Sequence, residues 1–261
     1  MDFTINIRTR FIVKSLAYFA IGLLLAGVIS HSLKYDFDRL PALYRWLNTD
    51  GEKNFPAAFS SGLLSICSVL TLLIAVHKSL IKDRFTLYWG GLSLLFAALA
   101  ADEWLSFHEQ MSDVIRPLLP VSGIFHFAWI LAGMAFLAVV GLIYWRFLIN
   151  LPPRYRRWFV LSAVVFVTGA IGMEMLGGYY ADTHQQWNRN IWLGLTTVEE
   201  GLEMFGVIIF IRALLSYIQD FVGEVTLCLN PPALNSPVRS RYSEMSANAG
   251  PVGYKKPDQA S

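Results

Sequence analysis

The chain has 261 residues, of which 55% are hydrophobic and 15% charged, and its mean hydropathy is +0.46. That balance excludes an ordinary soluble domain and marks an integral membrane protein. The formal net charge of +2, with basic residues scattered over short loops, excludes nucleic acid as a partner.

The N-terminal Arg8, Arg10 and Lys14, followed by LAYFAIGLLLAGVIS, have the look of a signal peptide. The apolar stretch is nevertheless about 20 residues, long enough to span, so Phe11 to Ser30 is read as a retained first helix. The loop after it contains YDFDRLPALYRWL, which predicts a short amphipathic helix on the outer surface. Further apolar segments cover Ala57 to His77, Phe85 to Leu105, Ser122 to Ile149, Trp158 to Tyr180 and Ile191 to Tyr217. From Asn230 the chain is rich in Pro, Ser, Asn and Gly, with little to bury. The expected architecture is an all-α polytopic membrane helix bundle. Six transmembrane helices lie within residues 1–229, and a disordered cytoplasmic tail follows over residues 230–261. Cys67 within a span and Cys228 beyond the last one predict neither a disulfide nor a metal-binding pair.

The basic loops set the orientation. With the N-terminus inside, the inner side holds 14 Lys and Arg, including Lys78, Lys82, Arg84, Arg154, Arg156 and Arg157, against six outside. Both termini are therefore expected in the cytoplasm. In this topology the third span runs outward and carries Asp102, of DEWLSFHE, to the outer edge of the hydrocarbon, about 25 Å along the helix. His108 and Glu109 fall at or beyond the interface. The fifth span places Glu174 at a similar depth, and the sixth brings Glu199, Glu200 and Glu203, of EEGLE, from the outer half towards the midplane. His126 also belongs to the outer half.

Helical phase refines the grouping. Glu199, Glu200 and Glu203 share a sector about 100° wide on the sixth span. On a straight third helix Asp102 and Glu109 are nearly eclipsed, whereas Glu103 and His108 point elsewhere, which makes Asp102 the buried ligand and His108 with Glu109 an outer rim. A carboxylate at a span's centre costs about 2.5 to 3.5 kcal/mol on insertion scales, against about 0.3 to 0.6 returned by each Leu, Ile, Phe or Val. The acidic face of the sixth span must therefore be covered by helices, water or a cation. Gly177 and Gly178 allow close helix contact beside Glu174.

The chain resembles uncharacterised multi-pass membrane proteins of bacteria with a DExxxxHE motif in one helix and EExxE in a later one, here DEWLSFHE and EEGLE. The resemblance carries no reaction or catalytic residue. It implies an integral, multi-pass protein of the bacterial plasma (inner) membrane.

No nucleophile motif, phosphate-binding glycine loop, CxxC pair or HExxH element is present. The mixed oxygen and imidazole donors Asp102, Glu174, Glu199, Glu200, Glu203, His126, His108 and Glu109 predict a metal site for Fe, Mn or Zn, with the carboxylate excess favouring Mn or Fe. The leading expectation is a metal-dependent membrane enzyme, a hydrolase or oxidoreductase acting on a lipid-like substrate that enters from the bilayer. The alternatives are a cation or proton transporter and a non-catalytic membrane subunit or assembly factor whose acids specify packing.

Overall fold

The computed structural model describes residues 3–4, 9–184, 188–222 and 226–227. The expected tail from Asn230 onward, Trp187 and Cys228 lie outside them. The chain divides into a helical unit, residues 7–223, and a small unit of residues 1–6 with 224–261. In the small unit β1 (Phe3–Thr4) pairs antiparallel with β2 (Thr226–Leu227), Phe3 opposite Leu227 and Thr4 opposite Thr226.

The helical unit contains α1 (Thr9–Tyr35), α2 (Pro41–Leu47), α3 (Phe55–Leu80), α4 (Thr86–Leu105) and α5 (Phe107–Ile115). After a 3-10 turn at Gly123–Phe125 come α6 (Trp129–Asn150), α7 (Pro153–Val167), a π-helical turn at Thr168–Met173, α8 (Glu174–Thr183) and α9 (Arg189–Phe221). Among the described residues, five helices are long and apolar enough to cross a membrane: α1, α3, α6, the continuous Pro153–Thr183 helix and α9. The protein is thus a helical membrane protein. The segment expected as the third span is the helix α4, 20 residues long, which ends in Asp102, Glu103, Trp104 and Leu105 and is not among the five. The short helix expected after the first span is α2.

Local chemistry sets several boundaries. Asn54 caps α3 by accepting from Ala57 N at 3.1 Å, with Pro56 in the first turn, where a missing N–H costs nothing. Asn188 caps α9 by accepting from Asn190 N. The expected fourth span begins later than its hydropathy suggests, at Trp129, because Gly123 (φ 62°) opens a 3-10 turn instead of a helix. His126 consequently precedes α6 and is not carried by it.

Small polar residues join α3 to α4. Ser68 Oγ donates to Ser93 O at 2.8 Å, Ser93 Oγ returns a bond to Ser68 O at 2.9 Å, and Ser61 Oγ reaches Ala100 O at 2.7 Å. The central element is α9, with 67% of its apolar window buried, whereas α6 has only 11%. The contact between α7 and α9 is close enough to exclude side chains: a Cβ on Gly206 would lie 2.7 Å from Phe166 N, and Ser162 Oγ donates to Gly206 O across the same seam at 2.8 Å. Gly206→Ala is expected to force the helices apart and destabilise the bundle by about 1 to 3 kcal/mol. Thermal unfolding in detergent checks this, and an unchanged Tm would contradict so close a seam.

The position of α6 creates a cavity. Along this helix only Ile130 and Phe147 are buried, one near each end. Towards the C-terminal end of α6, Tyr144 Oη donates to Tyr88 O at 3.1 Å, and Phe147 packs edge-on to the buried Trp89, ring centroids 5.1 Å apart. Trp89 also meets Phe159 and Tyr217, so that aromatic rings cluster at this end of the helix. At the N-terminal end of α6, Trp129 N donates to Ser112 Oγ of α5 at 3.2 Å. Between these anchors, about 22 Å apart at the helical rise, α6 stands away from its neighbours.

Candidate functional site

The space behind α6 is a cavity of about 510 Å³ between α4, α6, α7 and α9. Its composition changes along its length. One end is lined by Asp102, Glu103, His108, Trp129, Glu174, Glu199, Glu200 and Glu203, and the remainder by apolar side chains including Leu99, Phe136, Val140, Val164, Val207 and Phe210. Among the described residues no Lys or Arg lines it.

The acidic end is assembled by two departures from regular helix. The first is at Ser106, buried and left-handed (φ 53°, ψ 46°), where α4 ends and α5 begins. A non-glycine residue in this region is uncommon and is held there by its surroundings. Here Ser106 N donates to Asp102 O at 2.6 Å. The turn folds the chain back so that Asp102 Oδ1 accepts from His108 N at 2.9 Å and its Oδ2 lies 3.0 Å from His108 Nδ1. A straight helix would have aimed His108 away from Asp102; the break brings both to the cavity together with Glu103. The same break sends Glu109 the other way, exposed and beside Glu52 of the loop before α3.

The second departure is the π-turn at Thr168–Met173, immediately before Glu174. Such a bulge inserts a residue into the helical repeat and re-aims the side chains beyond it, and bulges of this kind recur at functional sites. Gly169 in this turn lies against α9: a Cβ there would be 2.9 Å from both Glu199 O and Glu203 Cγ. Glu174 then accepts from Trp129 Nε1 at 3.1 Å, and the Trp129 ring sits 5.1 Å from that of His108. The glycines beside Glu174 do admit close neighbours, Gly178 facing His126 and Phe127 and Gly177 facing the Trp192 ring.

Of the residues nominated by sequence, six meet at the cavity: Asp102, His108, Glu174, Glu199, Glu200 and Glu203. Two do not. Glu109 is turned out by the Ser106 break. His126 sits on the 3-10 turn, its Nδ1 3.4 Å from Asp182 Oδ1, while Asp182 Oδ2 accepts from Gly123 N at 2.7 Å and Arg116 donates to His126 O. These bonds staple the outer loop to α8. Sequence reasoning missed Glu103, misplaced by the straight-helix phase, and Trp129, whose position near the outer boundary suggested only an interfacial belt. It also missed Asp50, which accepts from Trp192 Nε1 at 3.1 Å and lies within electrostatic reach of Glu199 and Glu200.

The groups of α5, outside the spans, carry shifted titrations. Burial alone would lower His108, but the Asp102 hydrogen bond and charge, aided by Glu174 and Glu109, raise it above the ordinary 6.5. Desolvation and then the Glu52 carboxylate push Glu109 up to about 7. Both folded values lie above the unfolded ones. Their contributions to stability are therefore full below pH 4.5 for Glu109 and 6.5 for His108, and fade as pH rises through about 7 for Glu109 and through the raised histidine value for His108. Hydrogen exchange is expected to show α5 losing protection over that rise, with Glu109→Gln removing the Glu109 component. Protection of α5 that increases with pH would contradict these placements.

The donor types at the cavity suit a hard or borderline cation, yet among the described residues no three His, Cys, Asp or Glu side chains converge closely enough to hold a metal ion. Glu200 Oε2 is shielded from solvent and has no hydrogen-bond partner among the described residues. A buried, unpartnered carboxylate oxygen is a costly feature that a ligand, proton or water can relieve.

No curated protein and no solved structure significantly matches the chain. A family described as a domain of unknown function, DUF8692, matches residues 16–218, and the chain belongs to that family.

Proposed function

We propose that the protein admits a lipid-like molecule sideways from the bilayer into the cavity behind α6 and acts, as a membrane enzyme, on its head group at the acidic end. One observation carries this reading: a single cavity is acidic at one end and apolar for the rest of its length. An amphiphile has that polarity pattern, and apolar lining with a few convergent polar groups is the usual character of a small-molecule site. Packing of Phe147, at the apolar end of the cavity, against the buried Trp89 favours a binding pocket over an open transport path. Within the reading, Asp102 orients His108 through Nδ1, an arrangement suited to moving a proton at the head group. Native mass spectrometry of the protein released from mild detergent tests it: a stoichiometric amphiphile is expected, and a consistently empty protein contradicts it.

The topology proposed with this function has six spans, counting α4, with both termini on the cytoplasmic side of a bacterial plasma membrane. Support comes from the 20-residue length of α4, about 30 Å and enough for the hydrocarbon core, and from the basic inner loops. Pairing of Phe3–Thr4 with Thr226–Leu227 sets a segment before the first span beside one after the last, as an even number of crossings requires.

A second reading, favoured by the carboxylates crowded at the cavity, adds Fe, Mn or Zn. Glu174, Glu199, Glu200, Glu203, Asp102 and His108 are the residues that would draw together around it. A bound metal would supply a water activated for hydrolysis or a centre for oxygen chemistry. Elemental analysis of the purified protein beside a Glu199→Gln, Glu203→Gln variant tests this: stoichiometric metal lost in a folded variant supports it, and a metal-free protein after supplying each ion contradicts it.

A further inference from the structure

The cavity's polar end also indicates the charge of the head group, an inference that rests on the amphiphile reading above. We propose that this head group carries a positively charged nitrogen, an ammonium or quaternary ammonium at the end of a long apolar chain.

The cavity has carboxylates from three helices and, among the described residues, no Lys or Arg to receive a phosphate, sulfate or carboxylate. One N–H at each of two helix starts here is already used: the His108 N–H of α5 is bonded to Asp102 Oδ1, and the Trp129 N–H of α6 is bonded to Ser112 Oγ. His108, the basic side chain at this end, is itself committed to Asp102 through Nδ1, so an anionic head would meet chiefly acidic groups. A cationic head meets the opposite situation. Glu200 Oε2 is sealed from solvent and unpartnered, an acceptor awaiting positive charge or a donor. The Trp129 ring lines the same end, its indole N–H committed to Glu174 and the His108 ring 5.1 Å away, and adds an aromatic surface beside the carboxylates. Aromatic faces beside carboxylates are how proteins recognise alkylammonium groups, most strongly when water is excluded. The apolar remainder of the cavity takes the chain.

The test uses the full chain purified in maltoside detergent and four ligands that share an octyl chain: octyltrimethylammonium, octylamine, octyl phosphate and octanol. Calorimetric titration and ligand-induced thermal shift supply the readouts. The cationic pair is expected to bind at least about tenfold more tightly than octanol, with octyl phosphate weakest. Glu200→Gln is expected to erase most of that preference. Equal binding of octanol and the cations overturns the proposal but leaves the amphiphile reading standing; failure of all four to bind sinks both. Preference for octyl phosphate, whether with the protein alone or only after adding Mn²⁺ or Zn²⁺, overturns the ammonium assignment, and the metal-dependent case points to the metal reading. The comparison of ligands on the unmodified protein decides the matter even where Glu200→Gln does not fold.

Discussion

Glu199→Gln, Glu200→Gln and Glu203→Gln combined are expected to leave the bundle folded and at least as stable as the parent at neutral pH, while abolishing its capacity to hold a cationic ligand or metal. The three residues sit on α9, the most buried span, and line a cavity they share with Asp102, Glu103 and Glu174. Each carboxylate retained in ionised form within a span costs about 2.5 to 3.5 kcal/mol on insertion scales, and glutamine keeps the shape and hydrogen-bonding capacity without the charge. Any portion of that cost present in the parent is relieved in the variant. Thermal unfolding and ligand content measured on the same preparations check both halves. A loss of stability exceeding about 2 kcal/mol would instead identify these acids as structural partners whose removal leaves other buried groups unpaired, the behaviour of a packing or assembly element.

Gly141→Trp addresses the apolar part of the cavity and is expected to have the second large effect. Gly141 lines the cavity from α6, and a Cβ added there meets nothing within 4 Å. The surrounding space can accept an aromatic ring without moving α6, and burying that ring returns some stability. The ring then occupies volume that the chain of an amphiphile requires. Ligand content is expected to fall to background with Tm unchanged or raised. Retention of the ligand at parental stoichiometry would place it elsewhere on the protein. Gly133, eight residues earlier on the same helix, serves as a contrast: a Cβ there runs into the Trp129 ring at 2.9 Å, so its replacement disturbs packing at the acidic end as well.

Much of the helical framework is legible in the sequence because membrane-length apolar runs are large, additive signals. The short helix Pro41–Leu47 follows from its amphipathic pattern, and the alternating direction of successive helices puts Asp102, Glu174 and the α9 glutamates towards one end of the bundle, where they line one cavity. The details that complete the site are not written so plainly. Ser106 adopts a left-handed conformation that nothing in WLSFHE announces, since its local preference opposes it and tertiary packing prevails. That single break brings His108, expected at the rim, into the cavity and leaves Glu109 exposed. The π-turn before Glu174 is hidden in TGAIGM, a run that reads as ordinary helix. Gly169 there is explained only by the backbone of α9 against it. His126 is lost to the site because Gly123 and Asp182 fix its turn, a contact across 56 residues. Asp50 comes from a loop whose approach to α9 depends on the tertiary fold.

Selection of a lipid-like molecule by the space behind α6 is open to photo-crosslinking in native membranes. A benzoylphenylalanine at Val140 faces the cavity, whereas one at Val139, 53% exposed on the same helix, samples the surrounding surface. The expected result is one defined amphiphile captured at Val140 and mixed bulk lipid at Val139, with the Val140 product lost in Glu200→Gln. The same bulk-lipid mixture at both positions, unaffected by Glu200→Gln, would contradict a selective site.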